Sequence, residues 1–104
     1  MKLLVCGGRD YGNKAYMFKL LDELLTHFKY LFIINGDAPG ADTLASEWAL
    51  GCGQPLAKVP ANWAVHGKGA GPIRNASMLL LSPDFVLAFP GGWGTANKIG
   101  RAHV

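Results

Sequence analysis

Three short stretches combine glycine with a residue able to hold a ligand: "CGGRDYG" (Cys6–Gly12), "NGDAPGAD" (Asn35–Asp42) and "FPGGWGT" (Phe89–Thr95). Glycine in such a stretch has two readings: it makes a tight turn, or it lets backbone N–H groups approach a phosphate closely. The residues beside the glycines sharpen the second reading. Arg9 in the first stretch can meet an anion. Thr95 in the last can cap a helix or donate its hydroxyl to a phosphate oxygen. Asp42 would repel phosphate, which leaves it to cap its own helix or to accept from a hydroxyl such as a ribose. A fourth stretch, "GKGAGPIRN" (Gly67–Asn75), offers Lys68 and Arg74 as phosphate partners and Asn75 as a hydrogen-bonding group for a base or sugar. The competing role for Arg74 is an ion pair with Asp10 or Asp42. His27, His66 and His103 have neither triad nor metal spacing. Trp48 and Trp63 suit core or crevice wall, and Trp93 suits a base-stacking or loop-covering position.

Positioning these loops requires a particular scaffold. Short apolar runs "KLLVCG", "YLFIING", "PLAKVPA" and "DFVLAFP" read as buried strands. Between them, "NKAYMFKLLDELLTHF" places Ala15, Phe18, Leu21, Leu24, Leu25 and Phe28 at three- and four-residue steps, the signature of an amphipathic helix, with Asn13 as its N-cap. "GADTLASEWALGCG" predicts a second helix closed by Gly51 or Gly53, "GPIRNASMLLL" a third with Pro72 in its first turn, and "TANKIGRAH" a short last one. The alternation β-α-β-α-β-α-β-α predicts one α/β domain over residues 1–104: a Rossmann-like three-layer sandwich, its parallel sheet ordered 3-2-1-4, without a fifth strand. The glycine-rich loops then converge at the carboxyl edge of the strands, where ligands of such sheets bind.

Composition narrows the function. The chain has 104 residues, 50% hydrophobic and only 16% charged, with net charge +3. An average domain carries roughly 25% charge, so apolar surface is expected to be hidden in a ligand cleft or a homo-oligomer, most simply a dimer. The basic residues are scattered, which disfavours nucleic acid. Cys6 and Cys52 form no C-x-x-C or Cys/His metal spacing and read as reduced thiols of a cytoplasmic protein. No leader and no apolar run near ~18 residues is present, so a membrane role is not expected. No metal and no cofactor is expected. G-x-G-x-x-G after the first strand and the P-loop pattern are both missing.

Taken in order, "CGGRDYG", "NGDAPGADTLASEWA", "PANWAVHGKGAGPIRNASML" and "AFPGGWGTAN" resemble the YspA / cpYpsA-related branch of the SLOG superfamily, a family of unknown function whose relatives include the Lonely Guy phosphoribohydrolases and DprA-like proteins. The "PGGWGT" segment is similar to the lysine decarboxylase-like PGGxGT motif. The resemblance implies a Rossmann-like fold that binds nucleotides or nucleotide-derived ligands. By position it points to Gly7, Gly8 and Arg9; to Gly36, Gly40, Ala41 and Asp42; to Gly71, Pro72, Arg74 and Asn75; and to Gly91, Gly92, Gly94 and Thr95. Two departures stand out. Lys98 occupies the place of the glutamate that Lonely Guy proteins use in base cleavage, and the chain stops at Val104, where family members continue into a fifth strand. The expected function is therefore a sensor-like nucleotide-ligand binding protein. A nucleoside-monophosphate phosphoribohydrolase and a non-catalytic interaction module are the rivals.

Overall fold

The computed structural model describes residues 1–91. The expected last helix, together with Gly92, Trp93, Gly94, Thr95, Lys98 and His103, lies outside the described residues. Four strands, β1 (Lys2–Cys6), β2 (Phe32–Asn35), β3 (Leu56–Lys58) and β4 (Phe85–Ala88), pair in parallel in the order β3-β2-β1-β4. The connecting helices are α1 (Lys14–His27), α2 (Ala41–Cys52), the single turn α3 (Trp63–His66) and α4 (Ala70–Leu79), with a 3-10 turn at Gly67–Gly69 before α4. This is the α/β, Rossmann-like architecture and strand order that the alternation predicted.

Topology decides which face each helix covers. The chain steps from β1 to β2 to β3 in one direction and then returns past β1 to β4. Right-handed crossovers therefore put α1 and α2 on one face and α4 on the other. The two cores follow. Leu3, Val5, Leu31 and Ile33 pack with Met17, Leu21, Ala45 and Trp48 on the α1/α2 face. Leu4, Cys6 and Ile34 pack with Met78 of α4 on the opposite face. Trp48 is buried whole because its indole N–H finds Asp22 Oδ1 at 2.8 Å.

The elements end where the backbone finds other partners. Gln54 Oε1 takes the Leu31 N–H at 3.0 Å, and Asp42 takes that of Gly36 at 2.9 Å, so β2 is shorter than "YLFIING". Pro55 and Pro60 lack N–H groups and bracket β3. Asn13 caps α1 by accepting from Tyr16 N–H at 3.1 Å. α2 closes on Gly53 in a left-handed conformation (φ 67°) rather than on Gly51. The stripe expected for α1 is corrected at both ends: Met17 and Leu21 are its fully buried positions, whereas Ala15 is exposed and Phe28 keeps 38% of its surface accessible. The helix seats on the line through 17, 21 and 24 rather than the one through 15 and 28. Residues 62–69, to which the apolar pattern assigns no element, contain α3 and the 3-10 turn, started by Asn62 accepting from Val65 N–H at 3.2 Å. No helix among the described residues is long and apolar enough to cross a membrane.

Candidate functional site

The loop Gly36–Gly40 between β2 and α2 is the foundation of the site. Nearly every turn of it is tied down. Asn35 Oδ1 accepts the Asp37 N–H at 2.8 Å, holding Asp37 at φ 57°. Asp42 Oδ2 accepts the N–H groups of Gly36 (2.9 Å) and Ala38 (3.2 Å). Thr43 donates its hydroxyl to the Ala38 carbonyl at 2.9 Å. Asn35 is fully buried and donates through Nδ2 to Ser46 Oγ at 2.8 Å. A loop with these bonds is preorganised. Asp42 thus does not cap its own helix, one of the two roles its sequence position offers: it is the second residue of α2, the N-cap position is Gly40, and the carboxylate reaches back to the preceding loop.

Arg74 approaches this loop from α4. Its Nη1 donates to the Gly36 carbonyl at 2.7 Å and its Nε to Asn75 Oδ1 at 2.9 Å. The competing ion pair with Asp10 or Asp42 does not form. The carbonyl and amide hold the guanidinium in place instead, and the only ion pair among the described residues is the exposed Lys14–Glu47 contact at 3.3 Å. Arg74 lies close enough to Asp42 to favour its charged form, yet burial outweighs this and the two N–H bonds, and holds the Asp42 carboxyl above its ordinary value.

The glycines have a concrete task at the described positions. A Cβ on Gly36 would run into Arg74 Nη1, and one on Gly40 into the Gly8 carbonyl oxygen. On Gly8 it would lie 2.8 Å from Gly91 Cα, and on Gly7 2.6 Å from Ala41 Cβ. Ala41 N–H donates to Gly8 O at 3.2 Å, and Gly8 N–H donates to Pro90 O at 3.2 Å. The close approach that glycine permits here is chain to chain: the loops after β1, β2 and β4 interlock. Gly71 instead lies under Trp63, and Pro72 is exposed in the first turn of α4.

Above the interlocked loops opens a cleft at the carboxyl ends of β1 and β2. Its inner chamber, 150 Å³, is floored by Cys6, Gly7 and Met78 and walled by Asp42, Arg74 and Asn75. Its outer chamber, 240 Å³, runs between Asp37–Pro39 and Pro60–Ala61. Arg9, Ala38, Trp63 and Arg74 border both chambers, so the two are continuous. Together they fall at the lower end of the ~300–1,000 Å³ of small-ligand sites. Of the residues expected at the site, Gly7, Arg9, Gly36, Asp42, Arg74 and Asn75 line this cleft. Gly40 faces a separate shallow hollow beside Asp10 and Thr43, and Lys68 lines neither chamber. Gly8 and Gly91 support the cleft from below, whereas Gly92, Gly94 and Thr95 fall outside the described residues. Pro60, Ala61 and the structural role of Asn35 escaped the sequence reading; the Asn62 cap and the aromatic residue after it were the available signal. Burial pushes the Cys6 thiol up to about 12, so it is no nucleophile at neutral pH. Among the described residues no group of His, Cys, Asp and Glu is arranged to hold a metal ion.

The family described as "YspA, cpYpsA-related SLOG family" matches residues 1–66, which carry the first two glycine-rich loops and α3. A curated relative, "Gene 61 protein" of Mycobacterium phage D29, is 35% identical over 108 aligned residues, covering 98% of this chain and 83% of its own length. No solved structure matches the chain.

Proposed function

The chain belongs to the YspA, cpYpsA-related SLOG family, and from that premise we propose that it binds a nucleotide or nucleotide-derived ligand in the cleft over β1 and β2. The observation that carries this reading is the pair of arginines, Arg9 and Arg74, bordering both chambers over a preorganised loop. Arg9 lies exposed at the rim and has no side-chain partner among the described residues, and Arg74 retains Nη2 beyond its two structural bonds. Such cations meet phosphate with charge-assisted bonds. Trp63, 54% exposed beside them, offers a face for a base. Gly91, Gly92, Gly94 and Thr95 complete the phosphate side in this reading.

A thermal-shift screen with nucleoside mono- and diphosphates and ADP-ribose, followed by calorimetry on the best binder, tests it. Arg9→Ala removes no structural bond, so its loss of affinity, about ten- to a hundredfold, reports the ligand. Gly92→Val is expected to abolish binding while the far-UV circular dichroism persists. Unchanged affinity in both variants sinks the reading. Release of free base from nucleoside monophosphates is expected well below about 1 per second, because Lys98 stands where the related hydrolases place a glutamate; chromatography after incubation reads this directly.

The second part of the proposal is a homodimer. β4 is an edge strand among the described residues, Phe85–Ala88 carries no charge, and Phe85 is 60% exposed. A two-fold axis would set β4 against its copy without like-charge repulsion and cover the apolar groove of Met1, Leu24, Phe28 and Phe85.

A further inference from the structure

The inner chamber contains a donor and acceptor pattern that phosphate does not explain. Asp42 and Asn75 each keep only 6% of their surface accessible. Asp42 Oδ2 accepts from both loop N–H groups, and Oδ1 has no partner among the described residues. Asn75 Oδ1 accepts from Arg74 Nε, which fixes the amide orientation and leaves Nδ2 without a partner there. Neither free atom is sealed off, because no buried side-chain nitrogen or oxygen among the described residues lacks a hydrogen bond. Both residues line the inner chamber, and both free atoms keep some accessible surface. A carboxylate, an amide and a guanidinium with unused hydrogen-bonding atoms therefore line one 150 Å³ space.

The chemistry of an occupant follows from what each atom demands. A phosphate placed there meets the Asp42 carboxylate. A cation meets Arg74 and the Asn75 amide hydrogens. An apolar group leaves three polar atoms unpaired, each at the cost of its lost hydration. A hydroxyl both donates and accepts, and two adjacent hydroxyls do so in the two directions needed: one donates to Asp42 Oδ1, the other accepts from Asn75 Nδ2 or Arg74 Nη2. We propose that the inner chamber holds the vicinal hydroxyls of a ribose, so that the protein selects ribonucleotides over deoxyribonucleotides. This rests on the nucleotide reading above and deepens it. The phosphate then lies outward, where Arg9 joins Arg74 and no carboxylate lines the chamber wall except Asp37.

The test compares the 5′-monophosphates of the four common ribonucleosides with their 2′-deoxy and 3′-deoxy counterparts, by calorimetry on the full chain. The ribonucleotide is expected to bind at least about tenfold more tightly than either deoxy form, the loss of one hydrogen bond to a charged group. Asp42→Asn keeps an oxygen for the Gly36 and Ala38 N–H groups but presents an amide N–H₂ to the chamber, so the preference is expected to collapse toward unity. Arg9→Ala is expected to weaken ribo and deoxy forms alike and leave their ratio intact. Because the readout is a ratio, a general loss of stability in Asp42→Asn does not imitate the result. Equal affinity for ribo and deoxy forms in the wild-type protein overturns the ribose assignment and leaves the arginine reading standing. Failure of every monophosphate to bind overturns this inference, and failure of the diphosphates and ADP-ribose as well overturns the nucleotide reading.

Discussion

The two sides of the β1–β4 pair are built by opposite means. Over β1 and β2 the chain spends its glycines and buried polar groups: Gly8 meets Gly91, Gly40 meets the Gly8 carbonyl, and Asn35, Asp42 and Arg74 pin the loop between β2 and α2. Along β4 the surface is nearly all hydrocarbon, with Met1, Leu24, Phe28 and Phe85 around a 260 Å³ groove and no hydrogen-bonded side chain within the strand. The contrast teaches what each side is for. A rigid, polar, solvent-open cleft is suited to a small ligand whose groups must be matched one by one. A smooth apolar edge is suited to association, where area matters more than geometry. Among the described residues, the cleft leaves Asp42 Oδ1, Asn75 Nδ2 and Arg74 Nη2 without a hydrogen-bond partner.

The most severe way to break this division is to fill the interlock. Gly40 combines φ 81° and ψ −124° with a Cβ direction that points into the Gly8 carbonyl. Gly40→Ala is expected to cost about 3 kcal/mol or more, roughly 12–24 °C in Tm. Gly53 also has positive φ (67°), but nothing lies within 4 Å of its Cβ position. Gly53→Ala therefore bears the backbone penalty alone, about 1–2 kcal/mol. Thermal melts of the two variants separate conformational strain from loop-to-loop packing. Equal losses would mean the loops do not interlock as described.

The β4 side answers to a different measurement. Light scattering of the wild-type protein at micromolar concentration is expected to give twice the 11.1 kDa chain mass. Phe85→Asp is expected to give the monomer while costing only about 1 kcal/mol in fold stability, because Phe85 is already 60% exposed. A monomeric wild-type protein removes the dimer from the proposal without touching the cleft.

How much of this was legible beforehand follows from the kind of signal each part leaves. Strand runs such as "KLLVC" and the helical spacing of Phe18, Leu21 and Leu24 are local patterns, and they fixed the fold class, strand order and layer arrangement. The convergence of Arg9, Asp42, Arg74 and Asn75 followed from topology, since all four belong to the carboxyl edge. What each does there was not legible. Whether Asp42 caps α2 or ties down the loop before it depends on rotamer and loop path, and both uses start from the same position in the chain. The partner of Arg74 is a backbone carbonyl, and every residue has one. α3 was missed because four residues are too few to display a period. The glycines were ambiguous for the same reason: a space vacated for a ligand and one vacated for the Gly8 carbonyl look alike in the sequence.

The smallest effect expected bears on Asp42 as a charged group held in the cleft. Burial raises its folded-state affinity for a proton above the ordinary value of 3.8, against the opposing influence of the Ala38 and Gly36 N–H groups and Arg74. Between the ordinary and the raised value the folded state binds more protons than the unfolded state. By linkage, stability contributed at Asp42 is then fully present below pH 3.8 and is lost as pH rises through the raised value. Asp42→Asn has no such titration. The difference in Tm, wild type minus variant, is therefore expected to be largest at the acid end and to fall with rising pH until Asp42 is fully ionised, then stay flat. Paired melts from pH 3 to 7 read the difference directly, and titrations elsewhere in the chain cancel. A difference that instead grows with pH would show that the two N–H groups and Arg74 outweigh burial. Asp42 would then be an anion stabilised by the fold itself, with less to gain from a hydroxyl at Oδ1, and the division between a polar side awaiting a ligand and an apolar side awaiting a partner would be weaker than drawn.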